Sequence, residues 1–238
     1  LAEHGEQTGS SDDRAAERRD LLRLIEAEVR ETAHWLGKDQ LDPGVLAAME
    51  RVPRHAFVPR MELANAYRNE ALPIGLGQTI SQPFIVAVMT DQAAAGPGKR
   101  VLEVGTGCGY QAAVLAETGA EVWTIEALPE LAEEAEARLR RLGYDGIHCR
   151  QGDGAAGWPE AAPFDAIVVT AAPKAIPPAL VDQLKRGGHL VIPLGPPDGG
   201  LRFSATQRLL RIDKAADGTL SETTILPVAF VPLITPPT

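Results

Sequence analysis

The sequence predicts a doubly wound α/β fold: a mostly parallel sheet with helices on both faces, an antiparallel C-terminal edge and an N-terminal helical addition. Three observations carry this expectation. From Lys99 a rhythm of apolar strand, turn and amphipathic helix repeats along the chain. The first of those strands runs straight into the glycine turn Gly105-Thr106-Gly107-Cys108-Gly109. Beyond Gly195 the rhythm gives way to two polar-alternating strands joined through Asp217-Gly218, a hairpin signature.

Taken in order, Leu1 to Asp13 are polar and acidic and bury too little apolar surface to offset their ordering entropy, so a loose tail is expected. From Arg14 to about Leu36 the apolar positions Leu22, Ile25, Val29 and Leu36 recur at helical spacing, with Asp12 or Asp13 as the cap. Asp42-Pro43 is a cap followed by a first-turn proline and opens a second helix that runs to about Arg51. Arg54 to Pro83 is broken by Pro59, Pro73, Gly75 and Gly77 and reads as loop. Pro83 then starts a helix with a buried stripe of Phe84, Val88 and Ala95, and Ser81 and its neighbours fall beside that helix N-terminus, a place that favours negative groups. These segments make residues 14–95 an N-terminal helical and loop region and 96–238 the doubly wound domain.

Within the second region the expected strands are Arg100 to Val104, Glu121 to Ile125, Gly146 to Arg150, Ala166 to Thr170 and His189 to Leu194. Helices are expected at Tyr110 to Thr118, Pro129 to Leu142 and Pro178 to Lys185, with Gly119, Gly143 and Gly187 as left-handed C-caps. The edge strands are Gln207 to Asp213 and Leu220 to Val228. No repeat of 20 to 50 residues is present.

Composition narrows the function. A chain of 238 residues can bury a large core. Its formal charge of -9 opposes a nucleic-acid partner, because phosphate backbones are held by clustered Lys and Arg. Arg138 to Arg141 instead complement the dipole at a helix C-terminus. Cys108 and Cys149 have no metal-type spacing, and His4, His34, His55, His148 and His189 are scattered, so no metal is expected. No run approaches the roughly 18 apolar residues of a membrane span, and a cytoplasmic enzyme with no membrane partner is expected.

The glycine turn sits where open α/β sheets bind ligands, outside the carboxyl end of the first parallel strand. A dinucleotide fingerprint would need glycine where Tyr110 stands, which weakens a nicotinamide cofactor. Glu126, about 20 residues on, ends the next strand and can accept hydrogen bonds from both hydroxyls of an adenosine ribose. Gln151-Gly152-Asp153-Gly154 follows the third strand and places a carboxylate for the adenine amine.

The segments ALPIGLGQTISQPFIVAVMT (71–90), VLEVGTGCGYQ (101–111), QGDG (151–154), PFDAIVVTAAP (163–173) and FVPL (230–233) resemble protein-L-isoaspartate O-methyltransferases. The likeness runs from about Arg51 to Leu233, and Gln78 to Pro83 is its specific part, since the glycine turn is shared by class I methyltransferases generally. The resemblance implies a Rossmann-like fold that binds S-adenosyl-L-methionine through Gly77, Gln78, Thr79, Ser81, Glu103, Gly105, Thr106, Gly107, Gly109, Glu126, Asp153 and Gly154. It implies further that Ser81 is the active-site serine, that 74–81 fold over cofactor and substrate, that Phe230 to Leu233 help wall the peptide groove, and that Ile80, Ser81, Val231 and Pro232 contact the isoaspartyl-containing protein or peptide.

The chemistry needs neither metal nor general base. A carboxylate with a pKa of about 4 is already ionised at neutral pH and can attack a sulfonium methyl directly. Alignment and exclusion of water are what the enzyme adds, the former worth up to roughly 7–11 kcal/mol in well-oriented systems. Ser81 is therefore expected to orient the carboxylate rather than attack, because no His and carboxylate pair accompanies it in a motif. Two other readings stand beside this one: a family member dedicated to a carboxylate of one peptide, and a module that binds S-adenosylmethionine without turnover. The acidic region before Arg51 exceeds what the resemblance requires, and a helix there pairing with a second subunit is one expectation for it. Oligomeric state is otherwise not legible.

Overall fold

The computed structural model describes residues 14–195 and 207–235. The expected tail at 1–13, with its caps Asp12 and Asp13, lies outside the described residues.

Helix α1 (Ala15–Glu31) buries Leu21, Ile25 and Val29, spaced four apart on one face, with Leu22 only partly covered. It is shorter than expected. Thr32 bonds back through Oγ1 to the carbonyl of Glu28 at 2.7 Å, competing with the helical ladder, and the single turn α2 (Ala33–Leu36) then stops at left-handed Gly37. Helix α3 (Pro43–Arg51) starts as expected, with the Asp42 side chain accepting from the Gly44 amide at 2.7 Å. The same start is tied to the far end of helix α4 (Pro83–Gln92): Asp91 Oδ1 accepts from the Asp42 amide at 2.8 Å and Oδ2 pairs with Lys38 at 2.5 Å.

The stripe expected on α4 is a sheath instead, since all ten residues are buried. The helix lies against α1 and α3 on one side and against the sheet and its first crossover helix on the other, and a helix enclosed all round has no polar face. The expected loop from 54 to 83 is also more ordered than its prolines suggest. Two 3-10 turns (Arg54–Ala56, Arg60–Asn65) are followed by a hairpin of β1 (Leu72–Gly75) and β2 (Gln78–Ile80), paired Leu72 to Ile80.

The main sheet has seven strands: β3 (Arg100–Val104), β4 (Glu121–Glu126), β5 (His148–Gln151), β6 (Phe164–Val169), β7 (Leu184–Leu194), β8 (Gln207–Lys214) and β9 (Leu220–Val228). Their spatial order is β5-β4-β3-β6-β7-β8-β9, parallel through β7 and antiparallel for the last two. Helices α5 (Tyr110–Glu117), α6 (Pro129–Arg141) and α7 (Pro178–Asp182) make the crossovers. Gly119 and Gly143 take the expected left-handed conformation after α5 and α6. Gly187 does not cap a helix. Helix α7 ends at Asp182, and Gly187 and Gly188 lie inside β7, where the register against β6 shifts and a Cβ on Gly188 would stand 2.7 Å from the Asp165 carbonyl.

Side chains alternate across the sheet with period two. Leu102 and Val104 of β3 face α7, whereas Val101 faces the core shared with α1, α3, α4 and α5. The apolar face of α1, Leu21, Ile25 and Val29, thus packs within its own chain. No helix among the described residues is long and apolar enough to cross a membrane.

Candidate active site

From β3 the chain moves outward to β4 and β5, then returns across β3 to β6, so the crevice where the strand order reverses opens at the carboxyl end of β3. A cleft enclosing about 710 Å³, its open mouth included, lies there.

Its floor is the turn after β3. Gly105 adopts φ 98°, and its amide donates to the Ile125 carbonyl at 2.8 Å. A Cβ at that position would fall 2.5 Å from Thr170 Oγ1, which itself donates to the Gly105 carbonyl at 2.6 Å, so the turn is locked to the end of β6. Glu126 braces the other side, its Oε2 accepting from the Gly107 amide at 2.8 Å and its Oε1 from the Leu128 amide at 3.0 Å. Each oxygen keeps a lone pair for a further donor. At Gly154 a Cβ would meet Val104 Cγ1 at 2.4 Å, so only glycine lets this loop close on the strand end.

Glu103 is the unusual group. Pairing of β3 with β4 sets it beside Thr124, whose hydroxyl donates to Oε2 at 2.5 Å and meets the Thr106 hydroxyl at 2.6 Å. The residue has no solvent exposure, and Oε1 has no partner. Burial pushes the carboxyl up to about 8, the Thr124 bond working against that and the nearby Glu126 charge with it. A buried, half-satisfied carboxyl on a cleft wall is a waiting acceptor for a cationic or donor group.

The roof is the β1–β2 hairpin. Ile74 lies over the glycine turn, 3.4 Å from where a Gly107 Cβ would be, and Gln78, Thr79, Ile80 and Ser81 line the cleft. The helix α4 starts from Gln82 with no side-chain cap, and the Phe84 amide is satisfied by Asn69 Oδ1 at 3.0 Å, which leaves the capping role to Asn69 rather than Ser81. Asn69 in turn donates to Glu28 of α1 at 2.5 Å, and Gln82 reaches the same carboxylate at 3.3 Å. The N-terminal helix therefore props the segment that carries Ser81. Opposite, the C-terminal strand-like segment runs along Ala172, whose amide donates to the Val231 carbonyl at 2.8 Å and whose carbonyl accepts from Leu233 at 2.9 Å. Gln207 clamps its start at Phe230 through both side-chain atoms.

Of the residues singled out from the sequence, Gln78, Thr79, Ile80, Ser81, Glu103, Gly105, Thr106, Gly107, Glu126, Gly154, Val231 and Pro232 all line this one cleft. Three do not. Gly77 completes the hairpin turn at φ 73°; Gly109 starts α5 at φ 90° with Leu139 where its Cβ would be; Asp153 is exposed and caps Ala155 at 2.9 Å beside a neighbouring groove. Leu233, at the end of the expected groove wall, lines the cleft as well, whereas the sequence reading missed Tyr110, Gln111 and Thr170, which also line it. The signal for Thr170 was its place at the end of a parallel strand; Tyr110 was read only as a missing glycine.

Fold and cleft together define the class, a class I methyltransferase. The chain belongs to the protein-L-isoaspartate(D-aspartate) O-methyltransferase family, whose profile matches residues 34–236. It is 54% identical over 230 residues to protein-L-isoaspartate O-methyltransferase 2 of Syntrophobacter fumaroxidans, covering 96% of this chain and 91% of that one. The enzyme of the same name from Polaromonas is 54% identical over 213 residues, covering 90% of this chain and 98% of its own. Among solved structures, a protein-L-isoaspartate O-methyltransferase superposes with a TM-score of 0.76 at 27% identity, over 90% of this chain and 65% of that one. A Plasmodium falciparum protein described as a beta-aspartate methyltransferase, in complex with S-adenosyl-L-homocysteine, shares the fold with a TM-score of 0.73 at 24% identity, over 91% of this chain and 98% of that one.

Proposed function

We infer that the protein moves a methyl group from S-adenosylmethionine to the carboxylate of L-isoaspartyl residues in damaged proteins and peptides, and that the ester then collapses to a succinimide that reopens partly to normal aspartate. The observation that supports this most is that Gln78–Ser81 and the Gly105–Gly107 turn, far apart in sequence, face one cleft.

The residues present suit the methyl donor. The free lone pairs of Glu126 fit ribose hydroxyls, Gly105 and Gly154 let the turn and the loop pack closely on Thr170 and Val104 at the cleft floor, and the orphan oxygen of Glu103 fits an ammonium or amide donor. Asp153 remains the candidate for the adenine amine. When bound, S-adenosylmethionine supplies an electrophilic methyl on a sulfonium. For its part the protein holds the acceptor carboxylate ionised, with the Ser81 hydroxyl free to donate to one oxygen, while Ile80, Val231 and Pro232 exclude water. The other carboxylate oxygen takes the methyl, the carbon–sulfur electrons pass to sulfur, and no proton moves. We retain the cytoplasm as the location and, from the charge of -9, no nucleic acid among the partners.

Matched peptides carrying isoaspartate, aspartate or neither, incubated with labelled S-adenosylmethionine, test the reading. Label should enter only the first. Label that ignores the linkage would overturn the substrate assignment, label confined to one sequence would favour a dedicated peptide, and cofactor binding with no label would favour a binding module. Ser81→Ala should lower turnover about ten- to a hundredfold, the loss of one hydrogen bond to a charged group, and far more than it lowers cofactor affinity; equal losses in both would remove Ser81 from the acceptor side.

A further inference from the structure

Behind the acceptor wall lies a buried cation. Arg54 follows Pro53 in the first 3-10 turn and is completely buried, the one buried cation among the described residues. Its guanidinium donates from Nε to the Ala66 carbonyl at 3.0 Å, and from Nη2 to the Ser81 carbonyl at 2.9 Å and the Glu70 carbonyl at 3.3 Å. Its Cζ lies over the Tyr110 ring, 4.8 Å from the ring centre. Nη1 has no partner.

A buried cation is costly and is normally matched by a carboxylate. Here none pairs with it among the described residues. The titratable groups around it are Tyr110, Cys108 and Tyr67, all three raised by burial and so uncharged at neutral pH. Three carbonyls and an aromatic face hold the charge in place without neutralising it. Two of the residues it touches, Ser81 and Tyr110, line the cleft. The field of an unscreened charge behind a low-dielectric wall reaches an occupant of that cleft.

We propose that Arg54 is a positioning residue of the acceptor site, which pins the Ser81 backbone and supplies the positive field that draws the acceptor carboxylate to this wall. The inference rests on the methyl-transfer reading above. It carries a distinctive sign. The carboxylate is charged before transfer and the ester is neutral after it, so the field acts on substrate binding and eases product release. It also disfavours the sulfonium donor relative to the uncharged thioether product.

Arg54→Gln removes the charge and Arg54→Lys keeps it. With the isoaspartyl peptide, Arg54→Gln should raise KM by about tenfold or more while kcat changes less than about threefold, and Arg54→Lys should recover most of the KM. In Arg54→Gln the ratio of affinities for S-adenosylmethionine and S-adenosylhomocysteine should move toward the former by at least about twofold. Equal KM effects in both variants, an unchanged KM, or an unchanged ratio would each reduce Arg54 to a packing residue. Should neither variant fold by circular dichroism, the native enzyme decides: it should bind the isoaspartyl peptide at least about tenfold tighter than the matching carboxamide, in both roughly 0.05 M and 0.5 M salt, because a buried charge is not screened. Equal affinities would overturn the proposal. Native enzyme that fails to tell isoaspartate from aspartate sinks the functional reading itself, whereas discrimination with unaltered Arg54→Gln kinetics sinks only the role of Arg54.

Discussion

The buried carboxyl of Glu103 makes the stability of the protein fall with rising pH, and the size of that fall can be worked out. In the unfolded chain the group has the ordinary value of 4.5; in the fold burial pushes it up to about 8. Below pH 4.5 both states hold the proton, and the group contributes nothing to the difference. Between 4.5 and 8 the unfolded chain has released it and the native state has not, so the native state loses ground with every step of pH; above 8 the loss is complete. At about 1.4 kcal/mol for each tenfold step the ceiling is roughly 5 kcal/mol, and water penetration around the ionised group will leave about half. Glu103→Gln keeps the acceptor for Thr124 and removes the titration. The difference in stability between variant and native protein should therefore be small at pH 5 and grow to roughly 2 kcal/mol or more in favour of the variant at pH 8.5, a gap of about 4–8 °C in Tm for a chain of this size. Thermal unfolding of both proteins across pH 5 to 9, without cofactor, measures it. Parallel curves would mean that the native carboxylate ionises at little cost, and that the unpartnered oxygen is not the liability its burial implies. The same variant should bind S-adenosylmethionine more weakly, since the waiting acceptor becomes an amide.

Two further substitutions probe the frame of the site. Gly105→Ala would force φ 98° on a residue with a Cβ, 2.5 Å from Thr170 Oγ1; it should abolish measurable cofactor binding by calorimetry and destabilise the fold by ~2–4 kcal/mol, and a variant with native affinity would show that the turn is not locked to β6. Asp91→Ala strips the tie between α4 and the start of α3, leaving the Asp42 amide without its acceptor and Lys38 without its counter-ion. Urea unfolding should show a loss of ~1–3 kcal/mol, and an unchanged midpoint would mean that water replaces the carboxylate freely.

Most of the frame was readable from residue pattern because it is local. The strand–turn–helix rhythm, the Asp42-Pro43 start of α3 and the left-handed Gly119 and Gly143 depend on neighbours in the chain, and the structure places them as expected. What escaped was set by long-range packing. The α4 stripe dissolved because three helices and the sheet enclose that helix, and Gly187 passed from helix cap to strand bulge because α7 is little more than one turn. The β1–β2 hairpin was hidden by Pro73 and by strands too short to show alternation. In the site, the convergence of Gln78–Ser81 with Gly105–Gly107 followed from the family resemblance, not from spacing. Neither the neutral state of Glu103 nor the burial of Arg54 could be seen in sequence, since an acid at a strand end and an arginine after a proline both read as ordinary surface chemistry until their surroundings are known.

The contact of Glu28 with Asn69 and Gln82 hangs the segment that carries Ser81 from the N-terminal helix rather than from the sheet. The sheet carries the glycine turn and Glu126; α1 and the turns after α3 carry Ser81. One contiguous stretch, 14–92, brings Ile74 and Gln78–Ser81 to the cleft, while the sheet half brings the glycine turn, Glu126, Val231 and Pro232, so an exchange of that stretch between relatives would alter one wall of the cleft and leave the other in place. The exchange is constrained where that stretch meets the sheet half, at the contacts of α3 and α4 with α5, of α4 with β7 and of α2 with β9, which any transplanted stretch must reproduce.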